Sequence, residues 1–258
     1  MSASKPQGMN SMSFWTPAGV EVPAVTTDQM REIDRIAIEE TGPNLFQMME
    51  NAGRNLAEMA IECLGANWRQ ARIAVLAGSG GNGGGGIVAA RHLANHGAHV
   101  ELCLALPDKL GEIPAWQYKV FKSTGGKEVS PPDLVQEPVS LILDALIGYG
   151  LQSVPQGIFA DLIGWMNRVD VPTLSLDIPS GMDSTTGEAP GEFVRATWTL
   201  TLALPKTGLA SGKAGQISLA DIGIPAAAYR RIGLNYTPPF GCRFRVLLSM
   251  RGEAGSPE

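Results

Sequence analysis

Cysteine and charge are both scarce in this sequence of 258 residues, which has 3 cysteines and 17% charged residues. The cysteines are too few and too scattered for a disulfide framework or a cysteine zinc site, so they favour a reducing compartment. No apolar run approaches the roughly 18 residues of a membrane-spanning helix, and residues 1–23 lack the basic start and apolar stretch of a secretion signal. We therefore expect a soluble cytoplasmic protein whose residues 1–23 form a flexible leader.

Positive charge is not in excess either, because 20 lysines and arginines stand against 25 aspartates and glutamates, for a net charge of −5. This balance gives no electrostatic signature for binding nucleic acid or an anionic membrane, and neither partner is expected.

Apolar residues and glycine are abundant. Apolar residues make up 44% of the chain, which is enough for a sizeable core and excludes wholesale disorder. Glycine accounts for 31 of the 258 residues, well above the usual ~7%. The glycines are clustered rather than periodic, which is typical of tight loops with close backbone approach.

Apolar periodicity predicts an α/β fold. A capping box of Thr26 and Gln29 begins a first helix, Gly42 and Pro43 end it, and a second helix covers about 45–64. Six short apolar runs predict strands at 72–77, 99–105, 139–145, 171–177, 197–204 and 216–223, and the first four alternate with helices near 86–96, 113–123 and 158–168. This alternation predicts a Rossmann-like three-layer αβα sandwich with a mostly parallel central sheet and N-terminal helices. We expect the domain to span 24–229 and residues 230–258 to form a partly disordered tail.

The loop after the first predicted strand is rich in glycine. In open parallel sheets ligands bind beyond the carboxyl ends of the strands, and the loop 78-GSGGNGGGG-86 leads into a helix predicted to begin at Ile87. A glycine loop of this kind can receive phosphate on its backbone N–H groups and on the helix N-terminus. Gly78, Gly80 and Gly83 match G-x-G-x-x-G, but the acidic residue expected about 20 residues later is poorly placed. A flexible turn without a ligand is the alternative.

Aspartates follow two further apolar strands. Asp144 opens the loop 144–157 and Asp177 opens the loop 177-DIPSGMD-183. A carboxylate at such a position is costly without a cation or hydrogen-bond donors, and capping a loop or pairing with a lysine is the alternative for Asp144. Because parallel strands end at one edge of the sheet, both carboxylates should lie near the glycine loop. That convergence favours a functional site.

Two other kinds of site are weaker candidates. His92, His96 and His99 lie close together in sequence, but Gly97 should end the helix that carries the first two, which disfavours a metal triad. Ser180 is not in a G-x-S-x-G elbow, and the histidines stand in the wrong chain order for a hydrolase of this fold.

Six segments, in order along the chain, form a recognisable set: 29-QMREIDRIAIEE-40, 49-MENAGR-54, the glycine loop with 89-AARHL-93, 144-DALIGYG-150, 177-DIPSG-181 and 205-PK-206. Together they resemble the YjeF N-terminal domain, which is the fold of NAD(P)H-hydrate epimerases. The resemblance covers about residues 24–226.

The resemblance implies an isomerase that interconverts the R and S forms of hydrated NADH and NADPH in nicotinamide nucleotide repair. A hydroxyl on C6 of the nicotinamide ring departs and returns, so a group must protonate it and take a proton from returning water. A carboxylic acid in a desolvated pocket suits this task, and the resemblance implies that Asp177 is that acid–base group. Family members often carry a second, dehydratase domain, so the implied functional partner is a separate NAD(P)H-hydrate dehydratase. Family members also often dimerise, which leaves a homodimer open.

The resemblance also implies the binding residues. Those implied for the substrate are Gly81, Asn82, Gly83, Gly84, Gly85, Gly148, Tyr149, Gly150, Leu151, Gln152, Ser153, Val154, Asp177 and Lys206. A potassium ion is implied at Asn82, Asp144 and Ser180, whose amide, carboxylate and hydroxyl oxygens are hard donors suited to a hard cation.

One departure from the family pattern leaves alternatives open. Where the family usually has N-N-G-G-D-G, this chain has glycine in place of the first asparagine and of the aspartate, at Gly81 and Gly85. Some relatives with this fold have lost catalysis and serve as scaffolds. A catalytically impaired nucleotide-binding or scaffold module is therefore the main alternative, and an ordinary nicotinamide dehydrogenase is a third hypothesis.

Overall fold

The computed structural model describes residues 12–135 and 138–250. Its helices are α1 (Thr27–Ile36), α2 (Leu45–Leu64), α3 (Gly81–Asn95), α4 (Glu112–Phe121), α5 (Ile158–Arg168) and α6 (Ala226–Arg231). Its strands are β1 (Ser13–Trp15), β2 (Glu21–Pro23), β3 (Arg72–Ala77), β4 (His99–Leu104), β5 (Lys127–Glu128), β6 (Leu141–Ala145), β7 (Thr173–Leu176), β8 (Trp198–Leu202), β9 (Gln216–Ala220) and β10 (Arg245–Leu248). None of the helices in these two ranges is long and apolar enough to cross a membrane.

The central sheet has eight strands in the order β10-β9-β8-β7-β6-β3-β4-β5. All neighbouring pairs are parallel except β10 with β9, which confirms the predicted mostly parallel sheet. From β3 the chain first extends the sheet through β4 and β5, then returns to the other side of β3 with β6. The strand order therefore reverses between β3 and β6, which is where doubly wound sheets form a ligand crevice.

Alternate residues of β3 pack on opposite faces of the sheet. Ile73 and Val75 belong to the core formed with α2 and α3, whereas Ala74 and Leu76 belong to the core formed with α5. The apolar run from Ile73 to Ala77 is thus explained by burial on both faces. These helix, sheet and helix layers confirm the predicted three-layer αβα sandwich.

The expected flexible leader is wrong for residues 12–23. β1 and β2 pair antiparallel in this stretch, and the side chains of Phe14 and Val22 are fully buried in the core beside α1. The strands have three residues each, which is too short for a period-2 pattern to stand out in the sequence. The remaining leader residues, 1–11, lie outside the described residues.

The C-terminal segment also needs correction where the structure describes it. Residues 245–248, placed in a partly disordered tail by the sequence, form β10 at the edge of the sheet. Backbone hydrogen bonds of 2.9 Å in both directions between Trp15 and Ser249 join this segment to the N-terminal hairpin. Residues 251–258 lie outside the described residues.

Helix α3 begins six residues earlier than predicted, at Gly81 rather than Ile87. Glycine disfavours a helix interior by about 1 kcal/mol relative to alanine, so the run 83–86 was expected to be loop. These glycines are buried, because α3 packs against α2 and the sheet without room for side chains. The predicted capping box of Thr26 and Gln29 at the start of α1 is confirmed.

Candidate active site

A cavity of about 630 Å³ lies at the carboxyl edge of the sheet, where the strand order reverses. Its wall is built by α1, the first half of α2, the start of α3 and the loops after β6, β7 and β8. One part of the wall is apolar and consists of Met30, Ile38, Leu45, Met48, Met49, Ala52, Leu176, Leu202 and Ile222. The polar part includes Asp34, Asn82, Tyr149, Asp177 and Lys206. The cavity therefore combines an apolar surface with a few converging polar groups, as small-molecule sites usually do.

The glycine-rich segment contributes only some of its residues to this cavity. Gly81, Asn82 and Gly85 line it, whereas Gly83 and Gly84 do not. A Cβ at Gly83 would collide with the carbonyl oxygen of Gly78 within the same turn, and a Cβ at Gly84 would collide with the Met49 side chain on α2. These two glycines are thus required by close packing, and the sequence alone could not separate packing from ligand contact.

The loop after β6 also contributes only some of its predicted residues to the cavity wall. Gly148, Tyr149, Gly150 and Gln152 line the cavity. The other residues implied by the family resemblance, Leu151, Ser153 and Val154, follow the same loop but are not among the lining residues. The structure therefore brings the first half of this loop to the site.

Asp177 and Lys206 form a buried ion pair in the cavity. Only 3% of Asp177 and 1% of Lys206 is exposed. The Lys206 ammonium donates to Oδ1 of Asp177 and, at 3.0 Å, to the carbonyl oxygen of Leu202. The backbone N–H of Tyr149 donates to the other carboxylate oxygen, Oδ2, at 3.1 Å. Both oxygens of Asp177 are thus held by donors from two different loops.

The backbone also fixes these two residues. Asp177 has a φ of +69°, a left-handed conformation that is uncommon for a residue other than glycine, and its N–H donates to the carbonyl oxygen of Leu200 at 2.7 Å. Lys206 is held through backbone bonds that its neighbours Pro205 and Thr207 make with Val25, just before α1. The carboxylate and the ammonium are therefore positioned by the sheet and by the N-terminal segment together.

A second polar cluster lies below the cavity floor around Asp144, which is fully buried. Its carboxylate accepts hydrogen bonds from the Ser175 hydroxyl at 2.7 Å and from the Ser180 hydroxyl and backbone N–H at 2.6 and 2.9 Å. Burial raises the pKa of Asp144, and these donors oppose that rise. The bonds between Asp144 and Ser180 join the end of β6 to the loop after β7, as expected for the carboxyl ends of neighbouring parallel strands.

Asn82, at the start of α3, lies on the cavity wall beside the loop after β6. Its Nδ2 atom is buried and has no hydrogen-bond partner among the residues that the structure describes. Its Oδ1 atom would lie 3.2 Å from a Cβ placed on Gly148, so the loop after β6 passes directly over the amide. A buried polar atom without a partner is uncommon in proteins, and this one is an N–H donor, which an acceptor such as a phosphate oxygen would satisfy and a cation would not.

Sequence reasoning missed Asp34 on α1, an acidic residue of the cavity wall. Its Oδ2 accepts a hydrogen bond of 2.5 Å from the Tyr149 hydroxyl. Burial raises the pKa of Asp34 and also that of Tyr149. The available signal was helical spacing, because Asp34 follows the core residue Met30 by four positions and so lies on the buried face of an amphipathic helix.

The histidines do not converge on the cavity. His92 contacts Glu50 on α2, with 2.7 Å between His92 Nε2 and Glu50 Oε1, and the His96 ring lies 6.5 Å from the Trp68 ring, centroid to centroid. Within residues 12–135 and 138–250 no three His, Cys, Asp or Glu side chains cluster in a way that would hold a metal.

The chain is similar to known proteins of two kinds, NAD(P)H-hydrate enzymes and an mRNA-decapping protein. It is 48% identical over 240 residues to a protein named NAD(P)H-hydrate epimerase from Dehalogenimonas lykanthroporepellens, covering 93% of this chain and 98% of that protein. It is 34% identical over 214 residues to the bifunctional NAD(P)H-hydrate repair enzyme Nnr of Moorella thermoacetica, covering 78% of this chain but 40% of that protein. It is also 33% identical over 257 residues to the enhancer of mRNA-decapping protein 3 of Gallus gallus, covering 94% of this chain and 48% of that protein.

The fold is shared with a solved structure, the crystal structure of yeast ynu0. The TM-score is 0.77 at 20% sequence identity, and the match covers 88% of this chain and 100% of the yeast chain. The family model described as YjeF-related protein N-terminus matches residues 45–208, which include the glycine segment, Asp144, Asp177 and Lys206. From the matched family model and the near-complete alignment with the epimerase, the chain belongs to the YjeF N-terminal domain family.

Proposed function

We propose that this protein interconverts the R and S forms of hydrated NADH and NADPH, and so takes part in nicotinamide nucleotide repair. The observation that carries the proposal is the relative named NAD(P)H-hydrate epimerase, which is 48% identical and is covered over 98% of its length. The cavity supports it, because a carboxylate paired with an ammonium lies beside an apolar wall at the position where doubly wound sheets bind nucleotides.

The cavity suits a nicotinamide nucleotide in two respects. Gly80, Gly81 and Asn82 line it at the N-terminus of α3, where free backbone N–H groups and the helix dipole favour phosphate. Met48 and Met49 contribute thioether side chains to the apolar wall, and such flexible side chains adapt to a flat ring. The phosphates would therefore lie at the start of α3 and the hydrated ring beside the carboxylate.

Asp177 is the proposed acid–base group. In the reaction the bond between C6 and its hydroxyl oxygen breaks, the oxygen leaves with a proton as water, and the ring nitrogen stabilises the cation. Water then adds to C6 and loses a proton. Lys206 and the N–H of Tyr149 orient the Asp177 carboxylate for this proton transfer.

A potassium ion is the proposed cofactor, held by Asn82, Asp144 and Ser180. The donors fit such an ion, because they offer an amide, a carboxylate and a hydroxyl oxygen and no soft ligand. Asn82 would contribute its amide oxygen, Oδ1, because its unpartnered atom, Nδ2, is a donor and cannot bind a cation. A bound cation would offset the cost of burying the Asp144 carboxylate and hold the three loops together.

A separate NAD(P)H-hydrate dehydratase is the proposed functional partner. This chain matches only 40% of the bifunctional repair enzyme of Moorella thermoacetica, whereas it matches 98% of the epimerase from Dehalogenimonas lykanthroporepellens. A dehydratase specific for one epimer would consume the product of this reaction. The two proteins would be linked through this shared metabolite and need not bind each other.

Chiral chromatography of hydrated NADPH, with and without potassium, tests the proposal. We expect the purified protein to interconvert the epimers faster than buffer alone, and to do so faster with potassium than with an equal concentration of a bulky organic cation. Asp177→Asn should abolish the acceleration while the exposed control Asp108→Asn retains it. Folded protein that gives no acceleration with potassium present would overturn the proposed activity and favour the scaffold alternative, to which the decapping relative also points.

A further inference from the structure

We propose that Asp34 is a second proton-transfer group of this site, acting on the face of the nicotinamide ring opposite to Asp177, and that Tyr149 positions it. This inference rests on the proposed epimerase activity and deepens it. Nothing in the sequence motifs assigned Asp34 a role, although it lines the cavity.

The chemistry of inversion requires groups on both sides of the ring. When a hydroxyl leaves C6 and water returns on the same face, the starting epimer is regenerated. Inversion needs protonation of the leaving oxygen on one face and deprotonation of the incoming water on the other. Inverting glycosidases solve the same problem at a cationic ring carbon with two carboxyl groups separated by enough space for the sugar and a water.

The structure provides two carboxyl groups that line one cavity. The Tyr149 backbone N–H donates to Asp177 at 3.1 Å, and the Tyr149 hydroxyl donates to Asp34 at 2.5 Å. The two carboxyl groups therefore contact opposite ends of the same tyrosine residue. A planar ring between them would present one face to each.

The surroundings of the two carboxyl groups differ in a way that suits opposite roles. Asp177 forms an ion pair with the Lys206 ammonium and therefore enters the reaction as a carboxylate, the form that can act as a base. Asp34 forms no ion pair among the described residues, its Oδ1 has no hydrogen-bond partner there, and burial raises its pKa, so it is prepared to donate one. The titratable groups that act on Asp34 or respond to it are Tyr149, Asp177, Lys206 and Tyr229. The Arg31 guanidinium lines the same cavity and acts on Tyr149. Environments that favour the proton on one carboxyl group and not on the other are typical of acid and base pairs.

The proposed step balances without any further reactant. Asp34 gives its proton to the C6 hydroxyl, the C6–O bond breaks with both electrons on oxygen, and the nitrogen lone pair forms the C=N bond of the cation. A water molecule then bonds to C6 from the other face and gives a proton to Asp177. Asp34 ends ionised and Asp177 protonated, and the opposite epimer reacts with these roles exchanged. Proton exchange with solvent restores the starting state.

A substrate that carries oxygen-18 in its C6 hydroxyl tests the assignment. Loss of the label and epimerisation are measured in the same reaction. When the hydroxyl leaves and water returns on the Asp177 face, the label is lost but the configuration at C6 is kept. The rate of label loss and the rate of epimerisation therefore differ if the two carboxyl groups serve different faces. In Asp34→Asn we expect inversion to fall by about 10²–10⁴-fold, the usual range for losing an acid–base group, while oxygen exchange in one epimer persists above the spontaneous rate. Tyr149→Phe keeps the backbone N–H to Asp177 and should lose inversion in the same selective way, by a smaller factor.

The control is Asp28→Asn, which makes the same chemical change on the same helix at a side chain that is 90% exposed. Thermal unfolding would establish that each variant is folded. Inversion within threefold of wild type in Asp34→Asn would overturn the inference, and so would an equal loss of exchange and inversion for both epimers. Failure of the proposed activity itself is distinguishable, because the wild-type protein would then accelerate neither process.

Discussion

Replacing Lys206 by methionine is expected to destabilise the protein strongly, because it would leave the Asp177 charge buried without its partner. Only 1% of the Lys206 side chain and 4% of the Asp177 side chain is exposed to solvent. Bulk water therefore cannot replace the lost ammonium. Removing one member of such a pair costs about 3–5 kcal/mol. The Leu202 carbonyl oxygen would also lose its 3.0 Å bond to the ammonium, which adds about 1 kcal/mol.

The expected loss in the free energy of unfolding is therefore about 4–6 kcal/mol at pH 7, a large share of the 5–15 kcal/mol typical of a folded domain. The double variant Lys206→Met/Asp177→Asn removes the uncompensated charge and should recover at least half of that loss. Lys109→Met, at an exposed lysine, should change stability by less than about 0.5 kcal/mol.

Urea unfolding followed by tryptophan fluorescence provides the measurement, since the chain has 5 tryptophans. All four proteins would be compared at one pH and one salt concentration. A loss below about 1 kcal/mol in Lys206→Met would refute the reasoning from burial. So would a double variant no more stable than the single one, because the cost would then lie in packing rather than in the unpaired carboxylate.

Three further predictions concern α3 and Asp34. Gly83→Ala should lower the urea midpoint markedly, because its Cβ would collide with backbone. Gly81→Ala has no atom within 4 Å of its Cβ, so it should be neutral or stabilising by up to about 1 kcal/mol. Equal urea midpoints for the two variants would contradict this reasoning. Burial raises the pKa of Asp34 in the folded protein. The protonated side chain therefore contributes fully to the free energy of unfolding below the unfolded pKa of about 3.9, and this contribution is lost as pH rises through the folded pKa. The free energy of unfolding, measured from pH 4 to 8, should therefore fall for wild type relative to Asp34→Asn. The Cβ of Gly85→Asp would lie 2.7 Å from the Leu176 Cδ2 methyl, which must move aside. With that adjustment the variant should lower KM for hydrated NADPH with kcat nearly unchanged, if the family aspartate contributes uniform binding. A large rise in kcat would instead indicate that the natural chain is an impaired enzyme.

Long periodic segments were predictable from the sequence because several residues repeat the same signal. The strand at 72–77 and the helices at 45–64 and 158–168 have the predicted bounds. The start of α3 was not predictable, because the intrinsic preference of glycine opposes a helix and only packing against α2 and the sheet overrides it. The short N-terminal strands had too few residues for any periodic signal.

The site was predictable only in part, for a related reason. The parallel-strand rule brings the loops after neighbouring strands together, and the bonds between Asp144 and Ser180 show that contact. No such rule applies to Asp34, because α1 reaches the cavity through tertiary packing and its contact is with Tyr149, 115 residues away in sequence. A carboxylate on the buried face of a helix was the only local sign of it.

Several features that cost stability meet at the cavity, and their coincidence bears on the scaffold alternative. Asp177 has a left-handed backbone conformation, Asp177 and Lys206 bury opposite charges, and Asn82 has a buried amide atom without a partner in the described chain. Each feature is unfavourable by itself, and such costs concentrate where function requires a fixed geometry. A module that served only as a scaffold would gain nothing from a strained, charged cavity at this edge, and apolar replacements at 177 and 206 would be neutral or stabilising. The retained ion pair and the strained Asp177 are therefore better explained by catalysis than by scaffolding, even though the aspartate usual in the family at position 85 is absent.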